Sequence, residues 1–544
     1  MSKIIKVTLP NDKVVHVPYK TPAIEAVKLV ENNLDEILSL KVNNEVKNYQ
    51  YELVKDSVIE YVTFDKPDGY RVYARTLKMI LYMALTTLYS KVDIEFIATI
   101  NRNQYFIAHD LKITPAKVRD IKNKMQEFID RKLPLVKKVV SLEEATELYT
   151  AAGDLDKLEN LDNKLRSYFS MYFCDGMYNS FYGALAPDTG YIKKFDLIAY
   201  KEGALLVIPN KDNELDPEIR DQKLFETYVE FNKLKEVIGI SNIGNLNDMI
   251  LQNRSSEVIQ VSEAIHQRTL IEMIQDIEKR KNIKMVLIAG PSSSGKTTFA
   301  QKMGVQLRLK GYRPITISMD NYFKERKDTP LGPDGKYDFE CVEALDIELF
   351  NTQMRDLIAG KTVELPEFDF LVGTKKYNGN FLKLQKNDIL IVEGIHALNP
   401  IVTEFTPAEN KYKIYIAPIV TLNIDGYTKV SSSDIRFVRR MVRDYATRGH
   451  SIEKTFALWG NVKRGEEKYI YPFVEDSDYI YNSSLIYEPN VMKTFAQPLL
   501  LQIEKSSPFY AEARRLYEYL NHFLPIETSN IPIDSIVREF IGNG

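Results

Sequence analysis

Gly290-Pro291-Ser292-Ser293-Ser294-Gly295-Lys296-Thr297-Thr298 comes directly after the apolar run Met285–Ala289, and this junction decides the fold. The spacing is G-x-x-x-x-G-K-[ST], a turn that joins a buried strand to a helix and points its backbone N–H groups at a polyphosphate. Lys296 suits the β- and γ-phosphates as a point charge, and the Thr297 hydroxyl suits Mg²⁺. The helix expected over Thr298–Lys310 adds the positive end of its dipole. Gly290 through Thr298 are therefore the candidate nucleotide-binding residues.

Working outward, apolar runs recur at Ile315–Ser318, Ile389–Val392, Lys413–Ala417 and Tyr479–Tyr481, with helical stretches between them. Such alternation predicts an α/β unit over 284–499 with a doubly wound parallel sheet buried on both faces. Two acids stand at strand ends, where this kind of sheet presents its ligand edge: Asp320 and Glu393. Phosphoryl transfer to a hydroxyl needs a base beside the acceptor and a carboxylate that helps hold the metal. Asp320 suits the first task and Glu393 the second, with Thr297 as its metal partner. Further on, Arg436, Arg439, Arg440, Arg443 and Arg448 fall within thirteen residues of one predicted helix, with Asp434 and Asp444 as its acids. Arg436, Arg440 and Arg443 share a face, and guanidinium forks match phosphate oxygens, so a lid over a triphosphate is expected.

Together these segments resemble the uridine kinase and phosphoribulokinase family of P-loop kinases. The matching pieces are the phosphate loop, Ser318–Tyr322, Asp338–Asp346, Leu365–Phe370, Val392–Ile395 and the arginine helix. The resemblance implies an ATP-dependent kinase with Mg²⁺, in which Lys296 and Asp320 act with Arg443 and Arg448 on the transferring phosphoryl group. It also places Glu340 and Arg440 in the acceptor pocket. At the positions where uridine kinases carry a ribose-binding Asp, and a Tyr and a His beside the pyrimidine, this chain has Glu340, Phe368 and Gly373. An Arg and a Gln that face the nucleoside correspond to His450 and Leu458. Glu340, Phe368, Arg440 and His450 are thus the candidate substrate residues. The expected reaction is phosphorylation of a small metabolite's hydroxyl, with a nucleoside such as uridine or cytidine leading. The alternatives are another sugar, sugar phosphate or small alcohol, or a nucleotide-switched regulator linked to RNA.

The front half divides by composition. Strands are expected at Ile4–Leu9, Val14–Val17, Ile37–Val42 and Ile59–Thr63, and a helix over Thr21–Glu31 capped by Thr21. Helices come next at Leu77–Tyr89 and Pro115–Lys132, and Ile238–Asn247 reads as a boundary before a connector helix at Glu257–Arg280. Residues 1–62 resemble the TGS β-grasp module that opens threonyl-tRNA synthetases, and 63–240 resemble the synthetase's α+β editing-type domain. Residues 241–283 are then a helical connector and 500–544 a helical extension. Synthetase editing uses histidines and a cysteine at positions that here hold Met79, Met83, Phe181 and Leu185. Only His16 and His109 occur before residue 240, too few for that chemistry.

A net charge of −3 over 544 residues disfavours a large nucleic-acid footprint, so an RNA partner is the lesser alternative. Two distant cysteines, Cys174 and Cys341, make no disulfide framework and fit a reducing compartment. The opening residues lack the apolar core of a signal peptide. The strongest apolar run, Met79–Leu85, is too short to span a bilayer. The reading is a cytoplasmic protein with no membrane partner, compatible with a homo-oligomer.

Overall fold

A computed structural model of the chain describes residues 3–162, 167–280, 282–332, 335–369 and 372–542; Met1, Ser2 and Phe370, which ends one of the quoted motifs, lie outside them. The C-terminal half is organised round a sheet of five strands: β1 (Met285–Ala289), β2 (Arg313–Ser318), β3 (Asp388–Glu393), β4 (Lys411–Ala417) and β5 (Tyr479–Asn482). Their order is β2-β3-β1-β4-β5, and every neighbouring pair is parallel. Each expected strand is present, lengthened by up to two residues. β1 and β3 are buried along their whole length. Alternation along β1 sends Val286 and Ile288 into one apolar layer with Phe299, Met303 and Ile414, and Met285 and Leu287 into another with Leu390 and Val392. That two-sided burial is why the strands read as continuous apolar runs.

The helices of this half are α1 (Lys296–Leu309), α2 (Ile347–Ile358), α3 (Ser432–Arg448), α4 (Ile452–Tyr469), α5 (Glu488–Leu500), α6 (Tyr510–Leu520) and the short α7 (Arg538–Ile541). Residues beyond 500 are not a loose extension. Leu516, Leu520, Phe523, Ile536 and Phe540 share the layer of Val286 and Ile288, as do Ile243, Leu246, Leu270 and Met273 of the preceding helices Ile243–Leu251 and Ser255–Arg280. The polar stretch expected as a boundary, Ile238–Asn247, spans the break between the helices Gln222–Val237 and Ile243–Leu251 and opens the second. Asn242 accepts from the Asn245 N–H and donates to Glu159, so its polar residues serve a capping box.

In the front half, a five-stranded sheet runs in the order Val14–Pro18, Ile4–Thr8, Ser57–Val62, Ser39–Val42, Glu45–Lys47, and it carries the helix Ala23–Lys28. Thr21 does not cap that helix. It pairs in a two-residue strand and its hydroxyl donates to the Pro18 carbonyl, while Pro22 precedes the first turn. A four-stranded antiparallel sheet, Asp196–Tyr200, Gly203–Val207, Asn103–Ala108, Ile94–Ile100, comes next with the long helix Pro67–Tyr89. Met79, Met83, Phe181 and Leu185 are all buried in the apolar core of this region.

The two halves are packed together. Ile97, Tyr105, Leu205 and Phe225 of the front half share an apolar layer with Met285 and Leu287 of β1. The turn after β4 closes the contact. Gly426 approaches Ile94 so closely that a Cβ would stand 2.2 Å from its carbonyl oxygen, and its own carbonyl accepts from the Phe96 N–H at 3.0 Å. Lys78 Nζ donates to the Tyr427 carbonyl at 2.7 Å. Among the described residues no helix is long and apolar enough to cross a membrane.

Candidate active site

The ligand edge of the sheet is built by the loops that leave β1, β2 and β3. After β1 the chain turns at Gly290, where a Cβ would meet the Ile416 carbonyl oxygen at 2.1 Å, and turns again through Ser293 and Gly295 at φ of 60° and 89°. Only glycine tolerates the first approach, and the left-handed backbone at the third position favours it. The result is a cradle in which the Ser293 and Ser294 hydroxyls are buried and, among the described residues, have no hydrogen-bond partner. Orphaned buried donors are costly, by about 1–3 kcal/mol each, unless a ligand satisfies them. Lys296 folds over the cradle and donates to the carbonyls of Gly290 and Pro291 at 3.0 and 3.2 Å. Thr297 is exposed beside it.

Register carries the two acids to the same edge. Ser318 at the end of β2 pairs with Glu393 at the end of β3, which pairs in turn with Ile288 of β1. Glu393 is 7% exposed, and burial pushes its carboxyl up, reinforced by Asp320 and opposed by Lys296. Asp320, two residues past Ser318, keeps an opening to solvent. Its enclosure by protein raises its carboxyl while Lys296, Arg448 and Arg443 pull it back. Burial lowers the Lys296 ammonium, against Glu393, Asp320 and Glu539. Lys296, Asp320, Glu393, Arg443 and Arg448 are thus one electrostatic cluster. Thr297 and Glu393, hard oxygen donors beside this loop, fit Mg²⁺, which takes one or two carboxylates and shares phosphate oxygens.

The arginine helix, α3, splits into two. Arg436 is held in a two-point ion pair by Glu466 of α4, and Arg439, fully buried, by Glu488 of α5. Both also touch the phosphate loop from behind, through the carbonyls of Ser292 and Ser293. The expectation that Arg436 faces phosphate is therefore corrected: its charge is consumed in the core. Nearer the C-terminal end, Arg443 grips Asp444 with Nε and Nη2 at 3.0 and 2.8 Å, Arg440 lies 3.3 Å from the same carboxylate and Arg448 3.5 Å. One buried carboxylate holds three guanidiniums, which leaves net positive charge beside Asp320. Arg440 also donates to the Ser292 hydroxyl at 2.8 Å.

The substrate positions are distributed unevenly. Glu340 packs against Gly465, where a Cβ would stand 2.5 Å from its own Cβ, and burial pushes its carboxyl up to about 7, with Arg440 opposing. Phe368 is 7% exposed and packs on Phe323 at 5.8 Å, so it forms wall rather than reading edge. Gly373 sits at φ 80° with Arg326 laid across it, a turn that no larger side chain enters without displacing that arginine. His450 lies 3.9 Å from Asp444, at the arginine cluster. Trp459 anchors the helix pair, against Phe437 and under Arg436.

Comparison with known proteins then decides the assignment. Residues 285–485 match the model of the phosphoribulokinase / uridine kinase family. The uridine kinase of Lactobacillus johnsonii is 30% identical over 194 residues, 36% of this chain and 83% of that protein. The chain belongs to this family. The uridine kinase of Macrococcus caseolyticus is 31% identical over 178 residues, 32% of this chain and 76% of its own length. A solved D-glycerate 3-kinase from Cryptococcus neoformans aligns with 50% of this chain and 90% of its own at 14% identity and a TM-score of 0.21, too loose a likeness to bear on substrate. The protein is an ATP-dependent kinase of the uridine kinase / phosphoribulokinase type. The match lies wholly in the C-terminal half.

Of the four acids around this site, Asp444, Glu466, Glu488 and Glu539, sequence reasoning named only the first. Asp444 was visible as an acid in the arginine run. The other three carry no local signal.

Proposed function

We propose that this kinase transfers the γ-phosphoryl group of Mg-ATP to a hydroxyl of a nucleoside of the uridine or cytidine type. What supports the reading is the strand register that carries Glu393, and Ser318 two residues before Asp320, to the end of the sheet where the Gly290–Thr298 loop begins, with Arg443 and Arg448 gathered on Asp444 of α3. The names of the relatives support the acceptor. In this reading Gly290–Thr298 hold the phosphates, with Lys296 leaving the loop carbonyls for the β- and γ-phosphates. Thr297 and Glu393 would hold Mg²⁺, which supplies charge neutralisation on the nucleotide. Asp320, which keeps an opening to solvent, takes the proton of the acceptor hydroxyl as that oxygen bonds to the γ-phosphorus and ADP leaves. Arg443 and Arg448 stabilise the equatorial oxygens. Glu340 and Arg440 orient the acceptor, with Phe368 and His450 at the pocket's margin.

A second reading, a kinase of another sugar or small alcohol, is favoured by two details. Phe368 offers no polar edge, and the Gly373 turn is occupied by Arg326. The front half is read as a TGS-like module and an editing-type domain without editing residues, meeting the helical connector near residue 240. ADP release with Mg-ATP against nucleosides, then sugars and sugar phosphates, tests the acceptor. Stimulation by uridine or cytidine supports the first reading. Silence with every nucleoside and turnover with another alcohol replaces it by the second.

A further inference from the structure

Residues 533–541 lie beyond the segment matched by the family, yet they sit on its phosphate loop. Ile536 fills the space against Gly295, where a Cβ would stand 2.6 Å from the isoleucine Cγ2. Phe540 turns its ring to the Arg439 guanidinium at 4.9 Å. Arg538 ties the segment to the carbonyls of Thr528 and Ile531 at 2.8 and 3.0 Å, and the Ser535 hydroxyl lies 3.2 Å from that of Tyr487. These contacts deliver Glu539 to the first turn of α1. Its Oε2 accepts from the Thr298 hydroxyl at 2.8 Å and from the Thr298 N–H at 3.4 Å.

Those donors belong to the nucleotide's path. Lys296 suits the β- and γ-phosphates and Thr297 the metal, while the loop's N–H groups cradle the α- and β-phosphates. The Thr298 N–H, next along the helix, falls to the α-phosphate. A carboxylate and a phosphate compete for it and repel each other at that distance. Two carboxylates touch the loop, and they differ. Glu466 accepts from the Ser292 N–H at 3.2 Å but is fixed by Arg436. Among the described residues Glu539 makes no close ion pair, the Lys296 ammonium acting on it only from longer range, and Thr298 supplies its hydrogen bonds. A cavity of about 480 Å³ opens beside it, lined by Gln301, Lys302, Asp534 and Arg538, with room for a displaced carboxylate.

We propose that the C-terminal segment is an autoinhibitory strap: Glu539 occupies the α-phosphate's place at Thr298, and an incoming nucleoside triphosphate turns it out into the adjoining cavity. The proposal rests on the reading of Gly290–Thr298 as the phosphate site. Its core anchors, Ile536 and Phe540, stay in place, so only the Glu539 side chain has to move.

Calorimetric titration of the full chain with Mg-ATP tests it. Glu539→Ala tightens ATP roughly three- to tenfold, the scale of one charge-assisted contact removed from competition, and Glu539→Gln tightens it less. Lys296→Ala serves as the reference and loses ATP. ATP affinity unchanged or weakened in both Glu539 variants, with Lys296→Ala still losing ATP, overturns the strap and leaves the phosphate site standing. ATP binding retained by Lys296→Ala removes the phosphate site, and the strap falls with it. Should Glu539→Ala not fold, the near-isosteric Glu539→Gln carries the test alone.

Discussion

The two ends of helix α3 carry the same residue type to opposite purposes. At the N-terminal end, Arg436 and Arg439 are matched one to one with Glu466 and Glu488, out of water, and act as struts behind the phosphate loop. At the C-terminal end, Arg440, Arg443 and Arg448 share Asp444, so their charge is in excess. Stoichiometry of counter-charge, not the count of arginines, separates a structural guanidinium from one free to meet a phosphate. A buried charge without its partner is strongly destabilising, whereas an excess held at the mouth of a cleft attracts anions.

The contrast is tested first at its struts. Arg439→Ala strands Glu488 in the core and is expected to destabilise the protein by about 3–5 kcal/mol, measured by denaturant unfolding. Replacing both partners, Arg439→Met with Glu488→Leu, recovers most of that loss. If Arg439→Ala unfolds like the wild type, the pair is not a strut. Next comes Arg443→Ala, where kcat falls roughly 10²- to 10³-fold while the unfolding curve barely moves. A large shift in melting temperature instead would make both ends structural. A smaller effect is expected for Asp444→Asn, which leaves three guanidiniums without an anchor. There kcat falls about tenfold, equivalent to ~1.4 kcal/mol, and ATP affinity does not weaken.

The smallest effect concerns pH. Glu340 is raised to about 7, above its ordinary value of 4.5, so its neutral form is favoured in the fold. The contribution of this group to stability is fully present below about pH 4.5 and is lost as pH rises towards 7. Near pH 7 it changes from hydrogen-bond donor to charged acceptor, and the proposed function has it orient the acceptor. The KM for the acceptor should inflect there, and Glu340→Gln should flatten the profile. An inflection that survives the substitution assigns the titration to another group.

Much of this was legible from the chain alone. The phosphate loop, the positions of Asp320 and Glu393, and all five strands of the kinase sheet come from local patterns, because a strand, its turn and the start of the next element are neighbours in sequence. The partners of Arg436, Arg439 and Thr298 were not, since Arg436–Glu466, Arg439–Glu488 and Thr298–Glu539 are separated by 30, 49 and 241 residues. Nothing in the local sequence marks such pairs. The same holds for the capping role of Asn242, whose neighbourhood has the composition of a linker, and for Gly426, whose close approach is to a strand of the other half. Substrate positions aligned to the family were legible as positions only. Whether Phe368 faces the pocket or the wall depends on how Phe323 packs.

The most direct measurement tracks the transferred group itself, by phosphorus NMR of a reaction of the full chain with Mg-ATP and uridine, alongside Asp320→Asn. A phosphate ester of the acceptor should appear together with ADP, and its rate of formation should drop by about 10²- to 10⁴-fold in the variant while ATP binding persists. Release of ADP with inorganic phosphate alone, or an ester formed equally fast without the Asp320 carboxylate, would contradict phosphoryl transfer by this site.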